Sequence, residues 1–198
     1  MEPEIYYKEK INTLQKELKK LQQRKSGFGW LRFGSIAAII AAFYVLWSLG
    51  IGYVLIVSIV LLIIFIRLLL ADLKNKASIE HINNLIRINN DELQFLNGNY
   101  AIFPDGTGHA PTDHLYANDL DIFGANSIFQ YANRTTSEMG SRQLANYLKA
   151  PANAEIIGQR QVAIQELSKK TAWIQDLQAK GKEKKRSFYK KQRLENWI

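Results

Sequence analysis

The strongest pattern in the chain is a block of 34 residues without a charge, from Phe33 to Ile66. One straight helix of that length would measure roughly 50 Å, whereas about 20 residues are enough to cross the hydrocarbon core of a bilayer. Two glycines, Gly50 and Gly52, interrupt the apolar run near its middle. The pattern therefore predicts a helical hairpin that crosses a membrane twice and turns at these glycines.

Several residues in and beside this block are of the types found where a membrane meets water. Arg32 and Arg67 stand at its two ends and can extend their charged groups toward water. Aromatic side chains of the kind enriched at membrane interfaces are Trp30, Tyr44, Trp47 and Tyr53. Two alternatives stay open, a hairpin buried in a soluble core and a single tilted span. A cleaved signal peptide fits poorly, because the 32 residues before the block carry charges of both signs.

A hairpin places both of its flanks on the same side of the membrane. Residues 1–32 contain 8 basic and 4 acidic residues, and Arg67, Lys74 and Lys76 follow the second arm. The positive-inside rule then predicts that both flanks are cytoplasmic. The lipid bilayer is the first expected partner. The predicted spans carry no charged group that would indicate an ion path, so anchorage is the expected role.

Two predicted helices flank the hairpin. Residues 4–25 place Ile11, Leu14, Leu18 and Leu21 at heptad a and d spacing. This spacing indicates either pairing with another helix, in the same chain or in a second copy as a homodimer, or a lone amphipathic helix at the membrane surface. Residues 72–96 follow helical spacing, and the turn signal Asn97-Gly98-Asn99 ends this second helix.

The remaining pattern completes an all-α prediction in four parts. These are an amphipathic arm (1–29), a transmembrane hairpin (30–70), a linking helix and loop (71–113) and a helical domain (114–198).

In the last part, Thr135 and Glu138 have the spacing of a capping box that starts a helix. That helix is expected to end before Pro151, and Gly140 inside it is expected to permit close packing against a neighbouring helix. The side chains that it should bury are Leu144, Tyr147 and Leu148. A further helix is expected to begin at about 152–155 and to continue through Ile174.

The chain contains no Cys, which excludes a disulfide scaffold, a Cys-ligated metal site and a cysteine nucleophile. A GxxxxGK[ST] phosphate loop is also absent. The acidic and histidine side chains that cluster near the predicted loop are His109, Asp113, His114, Asp119 and Asp121. Their spacing matches no helical pair of metal-binding histidines, so capping and turn roles are preferred. No catalytic residue and no metal site is predicted.

The C-terminal part is strongly basic. Residues 169–198 carry 10 basic and 3 acidic residues, and Phe188 and Tyr189 stand among the cations. Basic residues with interleaved aromatics can bind phosphates and stack bases, but an anionic lipid surface or a solvated helix face are open alternatives. The candidate DNA- or lipid-phosphate-binding residues are Lys180, Lys182, Lys184, Lys185, Arg186, Lys190, Lys191 and Arg193.

About 50 residues from His114 onward carry a family resemblance. The chain reads Ser127-Ile128-Phe129, then Asn133-Arg134-Thr135, then Gly140, Arg142, Leu144, Tyr147-Leu148 and Pro151, then Arg160-Gln161, Ala163-Ile164 and Leu167. This order and spacing resembles the opening of the helical core (lever) of the MutS family of DNA mismatch-repair ATPases. The segment Asp119–Gly124, DLDIFG, is similar to a bacterial branch of that family with membrane spans before the core. The family-motif residues expected to be structural are Arg134, Thr135, Gly140, Pro151, Arg160 and Gln161.

The resemblance implies a membrane-tethered MutS-like DNA-repair or DNA-transaction protein. The family's mismatch-reading Phe-x-Glu and its Walker A sequence are absent. The chain is therefore expected to be a fragment without enzyme activity or cofactor of its own, and ATP and Mg would belong to a longer parent. DNA contacts would lie mainly in missing regions. The alternative is a membrane-anchored helical scaffold that binds protein partners and no nucleic acid.

Overall fold

The computed structural model describes residues 2–46, 51–112, 114 and 116–195, with the backbone alone at 42, 46 and 184–195. Every regular element in this part of the chain is helical. The elements are α1 (Pro3–Leu46), α2 (Ile51–Leu96), a 3₁₀ turn (Thr107–His109), α3 (Ile128–Ala132), α4 (Glu138–Lys149), α5 (Ala154–Ser168) and α6 (Thr171–Glu195). The all-α prediction is confirmed at this level.

The chain divides into two compact units. The hairpin unit comprises Asn12–Asn83, and the core unit comprises Met1–Ile11 together with Asn84–Ile198. Both α1 and α2 contribute residues to both units. The predicted helices over 4–25 and 72–96 are parts of these longer helices, and α2 ends at Leu96 beside the predicted Asn97-Gly98 turn. Gly98 adopts the left-handed φ of 82° that a Cβ would disfavour.

The hairpin unit is a pair of antiparallel helices. The Asn75 side chain donates a hydrogen bond to the Leu21 carbonyl oxygen at 2.9 Å, and Arg32 lies 3.2 Å from Asp72. Pairing in the same chain, the first alternative for the heptad pattern, is therefore seen along α1, where Leu14 is buried. Residues 47–50, which include Trp47 and the predicted turn at Gly50, lie outside the described residues, and Gly52 lies in the first turn of α2.

Both long helices are apolar and long enough to cross a membrane. Only 6 % of the most apolar 18-residue window of each helix is buried inside the protein. Most of the large apolar side chains described between Ile36 and Val45 and between Ile51 and Ile66 are exposed, although Val54 is buried. Soluble proteins rarely expose so large an apolar patch. Within the described residues, these side chains are therefore not covered by a core of the protein itself.

In the core unit, the fully buried Phe129 of α3 organises the loop before it. Its ring packs against Phe123 and His109, with ring centroids 5.6 and 5.7 Å away. Gly106 is required at the third contact, because it has a φ of 74° and a Cβ there would overlap the Phe129 ring. The Gln130 amide also donates to the Phe103 carbonyl oxygen at 2.8 Å. Side chains of α3 therefore hold an irregular segment in one conformation.

Two local predictions for the later helices are wrong. The N-cap of α4 is Ser137, whose hydroxyl accepts a hydrogen bond from the Gly140 amide, and not Thr135. The single helix predicted through Ile174 is interrupted, because α5 ends at Ser168 and α6 begins at Thr171. Asn153 caps α5 by accepting from the Ile156 amide at 2.9 Å.

Burial along α4 also differs from the prediction. Ala145 is the buried residue of this helix, Leu144 and Leu148 are partly covered, and Tyr147 is exposed. A Cβ at Gly140 would meet Ser137 Oγ at 3.1 Å and Thr135 Cβ at 3.5 Å, so its nearest neighbours belong to the preceding turn and not to another helix. Pro151 follows the end of α4 at Lys149, as predicted.

Candidate functional site

The centre of the core unit is the guanidinium of Arg134. It lies over two aromatic rings, 4.3 Å from the Phe95 centroid and 3.8 Å from the Phe103 centroid. Its Nε and Nη2 donate to the two carboxylate oxygens of Glu92 at 2.7 and 3.3 Å. Nη1 donates to the backbone oxygens of Tyr131 and Asn133. Only arginine can stack on two rings and donate several hydrogen bonds from one planar cation, so a lysine could not replace Arg134 here.

The neighbours of Arg134 in sequence form the turn that presents it. Asn133 is buried, and its Oδ1 accepts from the Thr135 amide at 3.0 Å and from the Thr135 hydroxyl at 2.7 Å. Its Nδ2 donates to the Pro104 oxygen at 3.2 Å. The sequence Asn133-Arg134-Thr135 therefore joins α3 to α4 in one defined conformation, which is a structural role for two residues singled out in the sequence.

Helix α6 packs very closely against this turn. A Cβ on Gly181 would overlap the Thr136 hydroxyl, so only glycine allows the helix to approach this far. One residue later, Lys182 Nζ lies 3.1 Å from the Asp91 carboxylate of α2. The resulting groove has a volume of about 110 Å³. Its charged lining residues are Arg87, Asp91, Glu92, Arg134 and Lys182.

Tyr7, near the start of α1, belongs to the same unit, and the charges of Glu92 and Arg134 influence its pKa. Burial raises the pKa of the Tyr7 phenol, and the Glu92 carboxylate raises it further, while Arg134 acts in the opposite direction. Burial and the Glu92 carboxylate therefore keep the phenol neutral over a wider pH range than in a free tyrosine.

A buried amide pair joins α2 to α6. The Gln175 amide donates to Asn89 Oδ1 at 3.0 Å, and Asn89 Nδ2 lies 3.5 Å from Gln175 Oε1. Asn84 donates to the Ala179 carbonyl oxygen at 3.4 Å. The sequence interpretation missed this network. A signal was available for Asn89, which occupies the position between Ile86 and Leu93 in the helical repeat of apolar residues.

The predicted basic site is only partly described. Lys180 is exposed and pairs with Asp176 at 2.7 Å, and this hydrogen bond raises the pKa of Lys180. Lys182 is turned toward Asp91. The backbone of α6 continues as a helix to Glu195, so the tail is helical where it is described. The side chains of the other six candidates, Lys184, Lys185, Arg186, Lys190, Lys191 and Arg193, lie outside the described residues.

The remaining motif residues lie farther along the helices. The Arg160 guanidinium of α5 stacks on the Tyr147 ring of α4, 3.7 Å from its centroid. Gln161 is exposed on α5, and Pro151 is exposed in the connection before it. The structure thus groups Arg134 and Thr135 in one turn and places Arg160 at a separate α4–α5 contact.

The histidines and acids of the loop do not converge. His109 shares a hydrogen bond of 2.9 Å with the Ser141 hydroxyl, and His114 Nε2 lies 2.8 Å from the Lys149 carbonyl oxygen. Asp119 and Asp121 are exposed, and Asp113 lies outside the described residues. Within the described part of the chain, no three His, Asp or Glu side chains form a group that could hold a metal ion.

The hairpin unit contains one buried acid that the sequence interpretation missed. Asp72 is fully buried, and its Oδ2 lies 3.2 Å from Arg32 Nη2 and 3.1 Å from Lys76 Nζ. Arg32 was expected to extend freely toward water at the membrane border. It is instead partly buried against α2. Because the Asp72 carboxylate faces two cations, the three side chains together carry one net positive charge.

Comparison of the chain with protein-family models, with curated proteins and with solved structures gives no match in any of the three.

Proposed function

We propose that the chain is a membrane-tethered MutS-like DNA-repair or DNA-transaction protein, in which the hairpin unit is the anchor and the core unit is part of a lever. It would sit in a bacterial inner membrane with both flanks of the hairpin in the cytoplasm. In this proposal the chain anchors the protein in the membrane and positions its DNA-binding parts, and none of its residues is catalytic.

The observation that carries the DNA part of the proposal concerns the motif residues. Asn133, Arg134 and Thr135, quoted for the resemblance, are the residues that hold the turn between α3 and α4 through hydrogen bonds and ring stacking. A sequence motif whose members cooperate in one packed turn supports a shared fold better than scattered matches would. The membrane part is supported by the exposed apolar windows of α1 and α2.

Any DNA contact made by this chain is assigned to the basic end of α6. Its helical backbone would align the cations along one element, and each phosphate that they neutralise makes the affinity depend more steeply on salt. Lys182 is excluded from this role because it already pairs with Asp91. The side chains from Lys184 onward are therefore the ones predicted to contact DNA phosphates.

The test uses the full chain in nanodiscs of neutral lipid, with labelled duplex, mismatched and branched DNA, and follows fluorescence anisotropy against salt concentration. Replacing the six cations Lys184, Lys185, Arg186, Lys190, Lys191 and Arg193 by Gln should remove most of the salt dependence, up to about five units of log–log slope for duplex DNA. The matched control replaces six lysines of the arm by Gln, at Lys8, Lys10, Lys16, Lys19, Lys20 and Lys25.

We expect the control to keep the wild-type slope. Absence of binding at low salt would reject DNA binding by this chain, whereas an equal loss in both variants would reject the assignment of that binding to the end of α6. Preference for one DNA structure would support a repair role over unspecific attraction.

A second candidate is a membrane-anchored scaffold that binds a protein. It is favoured by α5, which buries none of its residues and leaves Val162 and Ile164 about two-thirds exposed (67 % and 65 %). A chain that fails to bind DNA would direct the search to this surface.

A further inference from the structure

The hairpin unit carries an uneven charge. Between residues 12 and 83 there are nine Lys and Arg against three Asp and Glu. All twelve lie in 16–32 and 67–80, which are the two stretches that flank the apolar windows. Cations therefore collect at one level of the hairpin, beside the predicted membrane border.

The acids do little to offset this charge at the surface. Asp72 is fully buried between Arg32 and Lys76, so its negative charge is balanced inside the hairpin and does not offset the other cations. The cations Lys19, Arg24, Lys25, Arg67 and Lys74 are exposed. A surface of this kind is complementary to an anion and repels other cations.

An apolar groove lies next to these cations on α1. Its lining residues Ser26, Gly29, Trp30 and Phe33 all belong to α1 and are exposed, so the groove is a shallow, open strip of the helix surface. Gly29 leaves the floor open, because a Cβ there would meet nothing within 4 Å. Trp30, 75 % exposed, and Phe33 form the walls.

The cations and the groove share one side of α1. Lys25 precedes Gly29 by four residues and Lys19 precedes Ser26 by seven, so each lysine lies on the same side of the helix as one of the lining residues. At a rise of 1.5 Å per residue, the charged groups lie within roughly 10 Å of the groove along the axis. This distance matches a molecule with a phosphate at one end and a hydrocarbon chain at the other.

We propose that this face of α1 is a docking surface for an anionic phospholipid, whose phosphate pairs with Lys19 and Lys25 while an acyl chain lies along Gly29, between Trp30 and Phe33. The inference rests on the proposed membrane insertion and names the lipid class that the anchor selects. Cations near a membrane surface each favour anionic lipid by roughly five-fold.

Trp30 provides the measurement, because acyl chains that carry bromine quench tryptophan on contact. The full chain with Trp47, Trp173 and Trp197 replaced by Phe keeps Trp30 as its sole tryptophan. It is placed in phosphatidylcholine nanodiscs that contain an equal fraction of brominated phosphatidylglycerol or brominated phosphatidylcholine. With about five-fold from each of the two lysines, we expect up to roughly 25-fold more quenching by the anionic lipid.

Two variants separate charge from shape. Lys19→Gln with Lys25→Gln should bring the preference for the anionic lipid close to one, whereas Lys149→Gln with Lys169→Gln, in the core unit, should leave it unchanged. Gly29→Leu, which fills the groove, should lower quenching by both lipids.

A control reporter, with Trp30→Phe and Tyr53→Trp, samples the exposed start of α2 and should show no preference. Equal quenching of Trp30 by the two lipids, or an unchanged preference in the double lysine variant, would overturn the inference and leave the membrane anchor standing. Absence of quenching by either lipid would overturn both the inference and the membrane insertion on which it rests, without bearing on DNA binding.

Discussion

The hairpin unit and the core unit differ in where their large apolar side chains and their charged side chains lie. Between the helices of the hairpin unit, the buried positions include Ser35, Asp72 and Asn75, while large apolar side chains cover the outside. In the core unit, Phe129 and Ile122 are buried and the charged groups remain near the surface or in pairs. The exposed apolar side chains of the hairpin suit apolar surroundings, where helices associate through close packing and through hydrogen bonds between them.

The comparison also applies to the two buried arginine–acid pairs. Arg134 and Glu92 are supported by two aromatic rings and two backbone oxygens, so the pair is fixed on every side. In the Arg32–Asp72 pair, the Asp72 carboxylate has Lys76 as a second ionic partner, and Lys76 is half exposed. The same chemistry should then be worth more in the core unit than in the hairpin unit.

The largest effect is expected from Arg134→Ala. It leaves Glu92 partly buried without its cation and empties the space between Phe95 and Phe103, which should cost about 3 kcal/mol of the free energy of unfolding. The measurement is urea denaturation of the full chain in detergent micelles, followed by near-ultraviolet circular dichroism. Arg142→Ala is the matched control, because its pair with Glu138 is exposed and should change stability by less than about 0.5 kcal/mol. Equal midpoints for the two variants would contradict the central role of Arg134.

The next effect is expected from Gly181→Ala. The new methyl group overlaps the Thr136 hydroxyl, so α6 or the turn must move, at a cost of about 1–3 kcal/mol. Gly158→Ala in α5 is the control, since a Cβ there meets nothing within 4 Å and should stabilise the helix by up to about 1 kcal/mol. Thr136→Ala should recover part of the loss in the same denaturation assay. A Gly181→Ala protein as stable as Gly158→Ala would show that α6 does not approach this turn.

The smallest effect is expected from Asp72→Asn. The side chain keeps its size, and Arg32 and Lys76 can extend toward water, so the loss should be about 1 kcal/mol, or about five-fold in an equilibrium. Because the chain has no Cys, Leu21→Cys with Asn75→Cys gives a clean disulfide reporter of helix alignment. We expect the reporter to oxidise about five-fold more slowly with Asn at position 72. Replacing the exposed Lys74 by Gln is the control, and a loss as large as that of Arg134→Ala would reverse the comparison.

Part of this architecture could be predicted from local sequence. The apolar block sets two long helices, and Gly98 stops the second one because the required φ is positive. The start of α4 was located to within three residues, but the cap was assigned to Thr135 because this residue and Glu138 have the spacing of a capping box. In the structure the Thr135 hydroxyl is already donating to Asn133, which leaves Ser137 to cap.

The contacts that define the candidate site could not be predicted in this way. Glu92 and Arg134 are 42 residues apart, and nothing in either local pattern indicates that they pair. Asp72 reads as an ordinary charge at the end of a span, and only its partners across the hairpin show that it is buried. Tyr147 was predicted to be buried from helical spacing, but Arg160 of α5 covers one face of its ring and leaves the rest in solvent.

The amide pair between Asn89 and Gln175 has a consequence for how the core unit assembles. A slip of α6 by one helical turn would move it by 5.4 Å and leave both amides buried without partners. Each unsatisfied group costs about 1–3 kcal/mol, so a misaligned form should hold fewer than about 1 molecule in 30. An apolar pair at these positions would tolerate the slip, because dispersion contacts have no direction. The two amides therefore disfavour misaligned packings of α6 that hydrophobic burial alone would tolerate.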